Sequence, residues 1–67
     1  SVHIEIDKID NLGKLQETIK EKGDSKINIE ITENDKNYLF ELKNRRKFDY
    51  KKLKNLNKEH YIKKIRV

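Results

Sequence analysis

Three isoleucines at every second position, Ile27-Asn28-Ile29-Glu30-Ile31, constrain this chain more than any other feature. A period of two puts the three side chains on one face of an extended strand and leaves Asn28 and Glu30 on the other, whereas a helix scatters the same residues around its circumference. Val2, Ile4 and Ile6 repeat the pattern against His3, Glu5 and Asp7. Two strands that each carry one apolar face need a layer to cover that face.

The chain between and beyond these strands offers two helices for that layer. From Asp10 to Lys22 the apolar positions are Leu12, Leu15 and Ile19, spaced three and four apart, which predicts an amphipathic helix. Asp10 or Asn11 can cap its start, and Gly23 stands where a left-handed residue would close it. Ile27, Ile29 and Ile31 then lead through the four-residue connection Glu33-Asn34-Asp35-Lys36 to Tyr38, Phe40 and Leu42, a β-hairpin in whose connection Asn34 and Asp35 can take turn conformations. Phe48 is an apolar anchor and Asp49 a cap for a second helix with Tyr50, Leu53 and Leu56 on one side, ending around Asn57 to Glu59. Tyr61, Ile65 and Val67 share one parity and Ile62 breaks it, so the last strand begins with an irregular residue or is covered on both faces. The order βαββαβ predicts an α+β domain in the ferredoxin-like split arrangement: an antiparallel sheet with both helices on one face and the other face open. The expected inward set is Ile4, Ile6, Leu12, Leu15, Ile19, Ile27, Ile29, Ile31, Phe40, Leu42, Leu53, Leu56, Ile65 and Val67.

With 67 residues there is material for one such core, and residues 1–67 read as a single domain. The chain opens at Ser1 and has no methionine, so the expectation is a fragment of a longer chain. Without cysteine there is neither a disulfide framework nor a thiolate ligand, so packing alone must hold the fold. No apolar run approaches the roughly 18 residues that a membrane span needs, and the expectation is a soluble, cytoplasmic domain with no membrane partner. Charge is lopsided: residues 1–35 carry 5 Lys/Arg against 9 Asp/Glu, residues 36–67 carry 12 against 3. The abundance of Lys, Ile and Asn also fits an AT-rich genome, which tempers any reading of the lysines alone.

Candidate chemistry is sparse. His3 and His60 lack any His-x-x-x-His or Glu-x-x-His spacing and have no cysteines to join them, so no metal site is expected. Gly13 and Gly23 belong to no phosphate-cradling motif, and Ser1 and Ser25 to no nucleophile elbow. Glu30 and Glu41, on neighbouring strands, face solvent or pair with lysines more simply than they catalyse. The expectation is therefore a non-enzymatic domain without cofactor, metal or small-molecule ligand. One concentrated charge feature remains: Lys43, Arg45, Arg46 and Lys47, then Lys51, Lys52 and Lys54. These seven can contact an anionic partner or DNA, with Tyr38 and Tyr50 as aromatic contacts and Phe48 between the basic runs. The sheet lacks the Lys/Arg-Gly-Phe/Tyr-x-Phe signature of RNA-binding ferredoxin-like domains, and a solvated basic face or an acidic protein surface accounts for the same residues.

Taken in order, the Leu12-x-x-Leu15-x-x-x-Ile19 helix before Gly23, the Ile27-to-Ile31 strand, and Tyr38-Leu39-Phe40-Glu41-Leu42 running into Asn44-Arg45-Arg46-Lys47-Phe48 resemble a known domain. That domain is the extreme C-terminal one of the bacterial DNA polymerase III alpha subunit, in its alphaproteobacterial form, and the resemblance covers nearly the whole chain. In that family the last segment is similar to Glu-Leu-Pro-Gly-Arg-Tyr-x-Val before a Ser-capped helix, so Arg45 matches its arginine, Phe48 its valine and Asp49 its cap. Lys43-Asn44 stand where Pro-Gly is usual, and Arg46 replaces the tyrosine. The resemblance implies a non-catalytic module of a replicative polymerase, a DNA-directed nucleotidyltransferase whose magnesium-binding acids lie elsewhere in the parent. It further implies a tether to the tau subunit of the clamp loader. A small nucleic-acid-binding module and a structural cap without a partner of its own are the competing expectations.

Overall fold

The computed structural model describes all 67 residues, Ser1–Val67. Its elements are β1 (Val2–Ile6), a 3-10 turn (Ile9–Asn11) running into α1 (Leu12–Thr18), β2 (Lys22–Ser25), β3 (Ile27–Glu33), β4 (Lys36–Glu41), α2 (Tyr50–Leu56) and β5 (Ile62–Arg66). Four strands form one sheet in the order β4-β3-β1-β5. The α+β class, with one sheet and two helices, is as expected.

The sheet is not the antiparallel split arrangement. β1 lies directly beside β3 and parallel to it, in the register Val2↔Ile27, Ile4↔Ile29, Ile6↔Ile31, and the antiparallel pairs are β3 with β4 and β1 with β5. In a split arrangement the second hairpin strand sits between the first two strands. Here it is displaced to the edge. The two strands whose inward faces are wholly aliphatic take the centre, where burial is complete: Ile4, Ile6, Ile27, Ile29 and Ile31 have no exposed surface. Moving each of these from water into the core is worth about 1.5–3 kcal/mol. Tyr38 and Phe40 of β4 stay at the edge, each 38% exposed, so Phe40 is not the core residue its parity predicted.

Leu15, Ile19 and Leu56 enter the same buried cluster as the inward faces of β1 and β3, so both helices cover one side of the sheet. Val2, Leu42 and Tyr61 complete that cluster, with Leu12, Phe48, Ile62 and Ile65 partly buried against it. Val67, expected inside, is 82% exposed beyond the end of β5. Ile62 breaks parity because the β1–β5 register shifts: Glu5 faces Lys64 but Ile6 faces Ile62, so Lys63 is the extra residue of a bulge. The bulge turns Ile62 and Ile65 to the same side, where both are half-buried.

The hairpin turn has only two residues, Asn34 and Asp35, at φ 52° and 64°. Positive φ at both positions is the twist-matched two-residue turn that Asn and Asp tolerate better than most residues.

The first helix is shorter than predicted. It stops at Thr18, and Lys22–Ser25 is extended instead, alongside residues 44–47: Lys47 N donates to Glu21 O at 2.7 Å and Gly23 N to Arg45 O at 3.4 Å. Gly23 is therefore not a left-handed helix cap, and its φ is not positive. Its lack of a side chain serves a close backbone approach, since a Cβ there would stand 2.4 Å from Lys47 Cα. Asp10 and Asn11 make no capping bond at α1. Asn11 Nδ2 donates instead to Asp7 Oδ1 at 2.9 Å, while Ile9 N donates to Glu33 Oε1 at 2.8 Å.

The two glycines should consequently respond in opposite senses. Gly23→Ala forces the ribbon apart and is expected to cost about 1–3 kcal/mol. Gly13→Ala meets nothing within 4 Å and removes a glycine from the first turn of α1, for a gain of up to about 1 kcal/mol. Urea unfolding of the two variants against the parent chain checks both signs.

Candidate binding surface

The predicted basic cluster divides into two groups once folded. Arg45, Arg46 and Lys47 lie on the strand-like segment that pairs with β2, and Lys51, Lys52 and Lys54 on α2. Arg45 Nη1 donates to Asp24 O at 3.1 Å and Arg46 Nη1 to Asn44 O at 2.6 Å. Arg46 Nε is shut in without a partner, so this guanidinium does not present a free fork to an anion. Lys47 Nζ stands 3.8 Å from Glu21 Oε1. Lys52 Nζ donates to Thr18 O at 2.7 Å, meeting a carbonyl that the end of α1 leaves open. Four of the seven cations thus act within the fold. Lys43, Lys51 and Lys54 form no ion pair in the chain.

Between the ribbon and α2 lies a cleft of about 370 Å³ lined by Glu21, Lys47, Asp49, Lys51, Lys52 and Asn55. It is polar throughout and mixed in sign, because Glu21 and Asp49 face the lysines. Asp49 is committed to α2: its Oδ1 accepts the Lys52 backbone N–H at 2.9 Å, and this bond is the main reason its carboxyl is held below its ordinary 3.8. Tyr50, the first residue of α2, is 77% exposed, whereas Tyr38 sits on β4 at the sheet edge.

The second candidate surface is the side of the sheet that no helix covers. Cross-strand register places Glu41, Asn28, His3 and Arg66 in one row and Leu39, Glu30, Glu5 and Lys64 in the next. Glu30 organises this face. Its Oε2 accepts from Asn37 Nδ2 at 2.6 Å and its Oε1 lies 2.9 Å from His3 Nε2. Asn37 first, then His3, hold the Glu30 carboxyl below its ordinary 4.5. Leu39, 72% exposed, is the large apolar side chain in these two rows. Spacing alone could not reveal this network, because His3 and Glu30 are 27 residues apart and meet only through the parallel β1–β3 pairing. Alternation did foretell that both residues would face away from the core.

No three His, Cys, Asp or Glu side chains are grouped so as to hold a metal ion, and no helix is long and apolar enough to cross a membrane. The chain matches no family model, no curated protein and no solved structure.

Glu30 and Asp49 both have depressed folded-state pKa values, so their contribution to stability is complete above the ordinary carboxylate range. It is lost as pH falls through each folded value. Asn37→Ala is expected to move the Glu30 titration, followed by carboxyl ¹³C shifts, up toward 4.5. Asp49→Ala is expected to lower the urea midpoint at neutral pH by removing the α2 cap, and to have less effect as the pH falls below the ordinary Asp range.

Proposed function

We propose that this chain is a non-catalytic protein-binding module, the C-terminal module of a replicative DNA polymerase alpha subunit, which tethers the polymerase to the tau subunit of the clamp loader in the cytoplasm. The observation that carries the binding part is the uncovered sheet face, where hydrogen bonds hold His3, Glu30 and Asn37 in place around a protruding Leu39. An apolar side chain set among fixed polar groups is the make-up of a protein interface, with an anchor and a hydrated rim. The polymerase part is supported by the sequence resemblance, from the Leu12, Leu15 and Ile19 helix to the Arg45-to-Asp49 segment. In this reading the ribbon strand β2 is an addition to a βαββαβ unit, and the acids of nucleotidyl transfer belong to another part of the parent.

The basic segment acts as a helper. A polyanion is read best by cations free to neutralise phosphates, whereas here Arg45, Arg46 and Lys52 bond backbone carbonyls and Lys47 stands near Glu21. That arrangement favours a protein partner over DNA as the principal one.

A residue-resolved NMR titration with the polymerase-binding domain of tau tests the tether. Saturating shifts centred on His3, Glu30 and Leu39 are expected, and an unchanged spectrum at high tau concentration removes the proposal. A parallel titration with single-stranded oligonucleotide is expected to give only weak, salt-sensitive shifts around Lys51 and Lys54. Tight binding whose log–log salt slope flattens by roughly 1–2 in Lys51→Ala plus Lys54→Ala would instead make DNA the partner.

A further inference from the structure

The two edges of the sheet are built differently. β5 carries the bulge at Lys63, and its Lys63, Lys64 and Arg66 are all exposed, features that discourage another strand from pairing there. β4 has no bulge, all six of its residues are exposed, and its centre, Tyr38-Leu39-Phe40, carries no charge. Leu42 N donates to the carbonyl of Ile27 directly opposite, at 2.9 Å. Hydrogen-bonded pairs alternate along an antiparallel ladder, so Phe40, Tyr38 and Lys36 also direct their backbone groups toward β3. Asn37, Leu39 and Glu41 direct theirs outward, where no strand of this chain lies.

We propose that this edge pairs with β4 of a second copy of the chain, antiparallel about a two-fold axis that passes beside Leu39 normal to the sheet, making one continuous sheet of the two. Such an axis keeps every residue on its own face, so paired positions share parity. With Leu39 opposite Leu39, Asn37 faces Glu41, and the three outward-directed residues of each copy all find partners. Tyr38 then lies opposite Phe40 of the second copy, between hydrogen-bonded pairs, where side chains approach most closely. Both aromatic residues lie on the same face as Ile29 and Ile31, and each is 38% exposed at this edge. The charges agree with this register. Continued by two residues it sets Lys43 opposite Asp35 in the other copy's turn, and neither residue has an ion pair within its own chain. Centred on Tyr38 instead, the register would bring Glu41 against Asp35, two carboxylates face to face.

Two six-residue strands bury less than a standard interface, so the dimer is weak and concentration-dependent, with a Kd of roughly 10 µM to 1 mM. It leaves both uncovered sheet faces on one side of the joined sheet. The inference stands independently of the polymerase reading, because it uses only the geometry of the strand edge.

Sedimentation velocity and amide exchange over a dilution series of the 67-residue chain test it. The expected result is a mass rising toward two copies with concentration. Exchange at Asn37, Leu39 and Glu41 should slow in step, while Tyr38 and Phe40, already bonded to β3, stay unchanged. Leu39→Lys, at a site exposed enough to leave the fold intact, sets two ammonium groups opposite each other and is expected to weaken the dimer at least about tenfold. Lys63→Gln, on the other edge, is expected to leave it unchanged. A chain that stays monomeric throughout, a dimer that Leu39→Lys leaves intact, or protection at other residues overturns the proposal. So does a monomer whose Asn37, Leu39 and Glu41 amides become protected only when an apolar extended peptide is added, which would give the edge to a strand of another protein.

Discussion

The parallel pairing of β1 with β3 is the constraint on which the rest of the molecule depends. It sets Val2, Ile4 and Ile6 beside Ile27, Ile29 and Ile31 in one aliphatic plate. A chain of this length has little surface to bury, and no disulfide supplements it. Every other element is placed by its relation to that plate: Leu15, Ile19 and Leu56 cap it, and β5 bulges at Lys63 so that both Ile62 and Ile65 can reach it. The same pairing assembles the polar face on the reverse side. His3 meets Glu30 because their strands are adjacent, and the network that orders the candidate interface comes from the ladder that builds the core.

The charge pattern shows how a high cation count can be absorbed by a fold. Segment 44–47 folds back along β2, and the closeness of the two backbones at Gly23 leaves no room for a side chain. Once there, Arg45 and Arg46 serve main-chain carbonyls, and Lys52 reaches across to the last turn of α1. These are single hydrogen bonds to exposed or half-buried groups, each worth little on its own. Arg45 ties the two segments of the ribbon together, and Lys52 ties α2 to the end of α1. They also turn a run that looks like a polyelectrolyte in sequence into one with three free lysines, Lys43, Lys51 and Lys54.

How the sheet closes its edges follows from which strands it can bury. Six aliphatic inward positions, fully or nearly fully buried, claim the centre, and the Tyr38-Leu39-Phe40 strand is left outside with one side of its backbone unpaired. An edge strand with an uncharged centre and no bulge is an unusual feature to leave exposed, and it gives the molecule a surface whose chemistry is hydrogen bonding along a strand together with aromatic contact.

Much of this was legible in sequence because it is local. Alternation of apolar and polar residues assigned β1, β3 and β4 and told which sides of β1 and β3 face the core. Asn34-Asp35 announced the turn, Asp49 the start of α2, and Ile62 the irregularity of the last strand. These depend on backbone sterics and side-chain periodicity, which a few neighbouring residues settle. Strand order, the ribbon at Gly23, the His3–Glu30–Asn37 network and the internal use of four cations were decided only in three dimensions. Apart from the Arg46 bond to Asn44, each depends on residues distant in the chain, and periodicity specifies the face a side chain takes without specifying the strand beside it. Gly23 makes the point in one residue: a glycine after a helical pattern is read as a left-handed cap, yet here it is glycine because Lys47, 24 positions later, passes too close for anything larger.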